Sequence, residues 1–68
     1  MPVETSVEIN GVPTRIPGDT VDAAVTATTA TRRGIAVAVN GEVVPKGQWN
    51  RRLISGDHVE ILTAVQGG

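Results

Sequence analysis

Val59-Glu60-Ile61-Leu62-Thr63-Ala64-Val65-Gln66-Gly67-Gly68 closes this 68-residue chain, and its reading organises the rest. Val59, Ile61, Thr63 and Val65 alternate with Glu60, Leu62, Ala64 and Gln66, the period-two signature of a strand whose two faces meet different surroundings. The pattern predicts a strand that anchors a sheet. Beyond it the physics changes, because glycine has no side chain to pack and costs the most entropy to order. Residues 66–68 therefore read as a flexible tail on a domain spanning 1–65. Terminal glycines fit a frayed end with no function. They also fit a terminal carboxylate on a thin tether, able to enter a narrow site on another protein.

Working back from that strand, Val3, Thr5, Val7 and Ile9 alternate with Glu4, Ser6 and Glu8, which predicts a first strand with one apolar face. Asn10-Gly11 follows, a pair in which both residues tolerate positive φ and which marks a tight hairpin. Val12, Thr14 and Ile16 form the return strand, ended by Pro17-Gly18. Thr20, or Asp19 before it, caps a helix that begins near Val21, with Asp22 at the positive end of its dipole. Val21, Ala24, Val25 and Thr28 share one helix face. Thr26, Thr28, Thr29 and Thr31 are weak helix formers, so packing has to hold this element, and Arg32-Arg33-Gly34 is expected to close it. Ile35-Ala36-Val37-Ala38-Val39 is an apolar run of strand length, followed by a second Asn-Gly pair at 40–41 and by Glu42-Val43-Val44. Pro45-Lys46-Gly47-Gln48-Trp49 is a turn or a single helical turn. Leu53 and Ile54 then lead into the loop Ser55-Gly56-Asp57.

This order predicts an α+β fold, a mixed sheet of about five strands with one helix across one face. The opposite face is then left uncovered, and apolar residues that point there offer a docking surface. If Val59 and Ile61 point to the helix, alternation turns Leu62 and Ala64 to the open side, just before the tail.

Sixty-eight residues bury only about 60% of the surface that the unfolded chain exposes, so the core is thin. The chain has no cysteine, which excludes disulfides, thiolate metal sites and a cysteine nucleophile, and its one histidine, His58, cannot build a multi-histidine metal site. His58 reads as a loop residue with no catalytic task, since no carboxylate or nucleophile partners it in the pattern. A formal charge of −1 gives no footprint for nucleic acid, and Arg32-Arg33 and Arg51-Arg52 read as solvated surface charge. Trp49, the only aromatic residue, is expected to lie as a lid over one end of the core rather than as a binding hot spot, with its indole N–H on an acceptor. No stretch approaches the roughly 20 apolar residues of a membrane span, and Met1-Pro2-Val3-Glu4-Thr5 lacks the features of a signal peptide. The expected location is the cytoplasm.

Asn10-Gly11, Pro17-Gly18-Asp19-Thr20-Val21, Ala38-Val39-Asn40-Gly41-Glu42-Val43-Val44-Pro45, Trp49, Gly56-Asp57-His58-Val59-Glu60-Ile61-Leu62 and Gly67-Gly68 occur in an order and spacing that resemble the sulfur carrier protein of thiamine biosynthesis (ThiS), a ubiquitin-like β-grasp family. The resemblance runs over nearly the whole chain. It implies a β-grasp sheet with the last strand central and parallel to the first, and the hydrophobic patterns of the strands and helix place Val7, Ile9, Val21, Val25, Val37, Val59 and Ile61 in its core. It also implies a protein co-substrate rather than an enzyme. On that resemblance, an E1-like adenylyltransferase of the ThiF type is expected to activate the Gly68 carboxylate with ATP, a sulfur donor system to convert it to a thiocarboxylate, and thiazole synthase of the ThiG type to receive the sulfur. Gly67 and Gln66 then thread the tail into the partner, and Leu62 and Ala64 dock the body. No cofactor or metal is expected on the chain itself, and neither nucleic acid nor membrane is expected as a partner. The Ala- and Thr-rich helix and Gln66 before the diglycine depart from the family's commoner pattern, which touches packing and partner preference rather than chemistry.

Independently of the family, the chain has no P-loop and no nucleophile paired with a base, so adenylation and sulfur transfer would need a separate enzyme. Two alternatives stay open at this point. The small subunit of molybdopterin synthase is similar in fold and shares the diglycine end, although the segment from Val44-Pro45 to Trp49 fits the thiamine carrier better. A non-covalent β-grasp binding module would work with residues added after Gly68, whereas a carboxylate carrier would not.

Overall fold

The computed structural model describes residues 3–29 and 33–63. Strand β1 spans Glu4–Ile9, β2 Val12–Pro17, helix α1 Val21–Thr28, β3 Ile35–Val39, β4 Glu42–Val44 and β5 His58–Thr63, with a single 3-10 turn at Lys46–Gln48. Among the described residues the strands form one mixed sheet in the order β2-β1-β5-β3-β4, with β5 in the centre. β5 runs parallel to β1 and antiparallel to β3, while β1–β2 and β3–β4 are antiparallel hairpins. This is the ubiquitin-like β-grasp arrangement, as the family resemblance implies.

Both hairpins turn on Asn-Gly pairs with positive φ, Asn10 and Gly11 at 53° and 83° and Asn40 and Gly41 at 51° and 84°. Such mirror-image turns match the right-handed twist of the strands they join, which is why the pair is so strong a signal.

Thr20 is the helix cap, its Oγ1 accepting from the Ala23 N–H at 3.1 Å. Two further first-turn donors are met by the irregular link before β5: Val21 N–H donates to the Arg51 carbonyl at 3.0 Å and Asp22 N–H to that of Trp49 at 2.9 Å. The helix start and the 49–53 link therefore hold each other, because neither set of backbone groups can be buried unpaired. Asp19 serves the link instead, its carbonyl accepting from Leu53 N–H at 2.7 Å.

Alternation decides the core. Val7, Ile9, Ile16, Val37, Val39, Val59 and Ile61 turn toward Val21, Ala24 and Val25 of the helix, and every one of these is 6% exposed or less. All seven residues expected in the core are there, together with Val44, Trp49 and Leu53. Each fully buried Val or Ile contributes about 1.5–3 kcal/mol over the exposed state. Trp49, 5% exposed, closes one end of the cluster, and its Nε1–H donates to the Val44 carbonyl at 3.3 Å. The polar Thr5 is accepted inside because its Oγ1 donates to the Gly18 carbonyl at 2.7 Å.

Three expectations need correction. The helix does not continue to Arg32-Arg33-Gly34: it ends at Thr28, and Thr29 is already extended at φ −146° and ψ 151°. A run of β-branched threonines restricts χ1 against the preceding turn, and here that preference prevails at the helix end. Thr28 is exposed rather than core-facing, its hydroxyl turned back onto the Ala24 carbonyl at 2.8 Å. His58 is not a loop residue but the first residue of β5, and it has a carboxylate partner.

Candidate functional site

The site expected from the sequence is the exit of β5 and the open face beside it. β5 is held on both edges by residues of the two hairpin turns. On one side Asn40 accepts the His58 N–H through Oδ1 at 2.9 Å and donates through Nδ2 to Asp57 Oδ1 at 3.0 Å. On the other side the Asn10 carboxamide closes both main-chain groups of Ile61, accepting its N–H at 2.9 Å and donating to its carbonyl at 3.1 Å. Both contacts escape a reading of sequence alone, since Asn10 and Ile61 lie 51 positions apart and Asn-Gly already has a sufficient reason in the turn.

The strand pattern that buries Val59 and Ile61 turns Glu60 and Leu62 outward. Leu62 is 66% exposed, beside Ala36 in the β3–β5 register, and Val43, 73% exposed, lies opposite Ala38 one strand further out. These side chains and Glu60 line a shallow depression of about 110 Å³. Leu62 is thus where a docking residue was expected. The companions Ala36, Ala38 and Val43 were not anticipated, yet Ile35–Val39 carries the signal: large residues alternate with alanines, so one face of β3 is bulky and the other nearly smooth.

The β1–β2 half of the same face is polar. Glu8 and His58, neighbours in the parallel register, meet at 2.8 Å between Oε1 and Nδ1, and Arg15 lies 3.7 Å from Glu4. A broader groove of about 500 Å³ runs along Ser6, Glu8, Arg15, Ser55 and His58. It is larger than the apolar depression but open to solvent and removed from Leu62. Among the described residues no group of three or more His, Asp or Glu could hold a metal ion, and no helix is long and apolar enough to cross a membrane. Arg51 and Arg52 form exposed pairs with Glu42 at 3.3 Å and Asp19 at 3.9 Å. Ala64, Gln66, Gly67 and Gly68 lie outside the described residues, as does Arg32.

The model of the ThiS family matches residues 7–68, from inside β1 through the last glycine. The chain belongs to the ThiS family. Its fold is similar to the crystal structure of thiamine biosynthesis protein ThiS from Geobacter metallireducens, with a TM-score of 0.73 and 28% sequence identity over 94% of this chain and 100% of that one. No curated protein sequence matches the chain significantly. Within the ThiS match fall both the open-face strip and the diglycine, so the body and the tail belong to one family pattern.

Proposed function

We propose that the chain is the sulfur carrier for the thiazole moiety of thiamine, with the Gly68 carboxylate as the group that is activated. The observation that carries the reading is the ThiS family match running through Gly68, on a body whose central strand leads toward that end. A carboxylate resists nucleophiles through its resonance and charge. An E1-like partner of the ThiF type would transfer AMP from ATP to it, releasing pyrophosphate and forming a mixed anhydride with a good leaving group. Sulfide from a donor then attacks the acyl carbon, the C–O bond to AMP breaks, and AMP departs with the electron pair. The thiocarboxylate that results keeps its charge largely on a soft, nucleophilic sulfur, bound to a protein and unable to diffuse away. Thiazole synthase of the ThiG type would take that sulfur.

The five residues after Thr63 can span at most about 18 Å when extended, so the body must press against its partner for the tail to reach a buried site. The strip of Leu62, Ala36, Ala38 and Val43 is the surface for that contact, and we assign Ala64 to docking as well and Gln66 and Gly67 to threading the slot. A Cβ at position 67 or 68 would meet the slot walls or forbid the backbone angles that glycine allows. Cytoplasmic location follows from where ATP and these partners work.

The test is intact mass before and after incubation with ATP, a sulfide source and a candidate activating enzyme. A gain equal to the exchange of one oxygen for sulfur, dependent on ATP, is expected. No change with an enzyme active on other carriers points instead to the non-covalent binding module.

A further inference from the structure

We infer that Asn10 is a positioning residue: its carboxamide fixes the line on which the chain leaves β5, and hence how the terminal carboxylate is presented. This rests on the carrier reading above.

β1 pairs with β5 only at Glu8↔His58 and Ile9↔Val59. At Asn10 the main chain turns away at φ 53°, after its N–H has donated to the Val59 carbonyl at 2.9 Å. The next groups on that edge of β5, the N–H and C=O of Ile61, have no strand beside them. The Asn10 side chain supplies one, with an acceptor at 2.9 Å and a donor at 3.1 Å. A primary amide has the same donor and acceptor as a peptide unit, so the side chain adds a rung to the parallel ladder after the backbone has gone. On the other edge β3 keeps pairing to Ile35↔Thr63. Among the described residues Ile61 is consequently the last position of β5 flanked on both edges, with its own main-chain groups bonded to Asn10 and with Val37 facing it across the β3 ladder, two positions before the end of the strand.

The turn itself does not require this amide, because glycine takes positive φ more readily than asparagine. Only the grip on Ile61 does. Asn40 is a built-in control: it occupies the same turn position at φ 51°, but its side chain holds His58 and Asp57, at the opposite end of β5 from the exit.

The experiment compares Asn10→Gly with Asn40→Gly, both of which keep a turn-compatible residue. In Asn10→Gly, amide exchange at Ile61 should rise about tenfold or more, while Glu60 and Leu62, whose amides face β3 by strand alternation, stay protected. With ATP, a sulfide source and the activating enzyme that thiolates the wild-type chain, Asn10→Gly should lower kcat about tenfold at a KM within about twofold of wild type, because the docking strip is intact and only productive entry is lost. Asn40→Gly should keep kcat. If Asn10→Gly does not fold, Asn10→Asp replaces it, keeping size, tolerance of positive φ and the acceptor for the Ile61 N–H but losing the donor to the Ile61 carbonyl, so the fall in kcat at near-constant KM, and not Ile61 exchange, is required of it. Unchanged Ile61 exchange in Asn10→Gly, or in either variant a kcat equal to that of Asn40→Gly, overturns the inference and leaves the carrier reading standing. A wild-type chain that never gains sulfur removes the carrier reading and this inference together.

Discussion

Ala36 of β3 and Leu62 of β5 are direct partners across the antiparallel ladder, and both turn away from the helix, Leu62 with two thirds of its surface in solvent. With Val43 they form an apolar strip on the face that helix α1 leaves bare. Leu62→Glu should therefore leave folding intact, within about 0.5 kcal/mol, while it weakens capture by both the activating enzyme and thiazole synthase. Calorimetric binding checks it, and unchanged affinity for both partners would place docking on another surface.

One residue earlier the outcome reverses. Ile61 is 4% exposed and points into the core, so Ile61→Ala should cost about 2–5 kcal/mol through lost burial and the cavity left behind. Val37, its partner across the ladder, should also be sensitive when cut to alanine. In a domain whose total stability is on the order of 3–10 kcal/mol, Ile61→Ala alone can unfold much of the population. Thermal melts of Ile61→Ala beside Leu62→Ala read the strand alternation directly, and near-wild-type melting of both Ile61→Ala and Val37→Ala contradicts the core assignment.

Trp49→Phe tests the lid. The indole N–H is the donor to the Val44 carbonyl, and a phenyl ring retains most of the apolar body while leaving that acceptor unpaired. A loss of about 1–3 kcal/mol is expected in urea unfolding followed by circular dichroism. A variant as stable as wild type means that another donor or water meets Val44.

Much of this was legible in the residues. The two Asn-Gly hairpins, the cap at Thr20 and the inward set of Val7, Ile9, Val59 and Ile61 follow from local chemistry and period. The central place of β5 does not, since a half-buried alternating strand reads alike at an edge or in the middle; the family resemblance supplied it. The early helix end was hidden because Thr28 keeps the helical spacing and Arg32-Arg33-Gly34 makes a plausible stop. Glu8 and His58 meet only because β1 and β5 run parallel, a pairing that joins the two ends of the sequence. The same distance conceals the grip of Asn10 on Ile61. Of the candidate site, Leu62 and its outward direction were readable, whereas Ala36, Ala38 and Val43 became neighbours only through strand order.

The direct measurement of the central claim is fragmentation of the ATP- and sulfide-treated chain in a mass spectrometer. The oxygen-to-sulfur exchange should sit on the fragment ending in Gly68, and it should be absent from a chain lacking Gly68 and from one extended beyond it. Sulfur found on any other residue, or thiolation of the extended chain without trimming, contradicts the assignment of Gly68 as the carrier group.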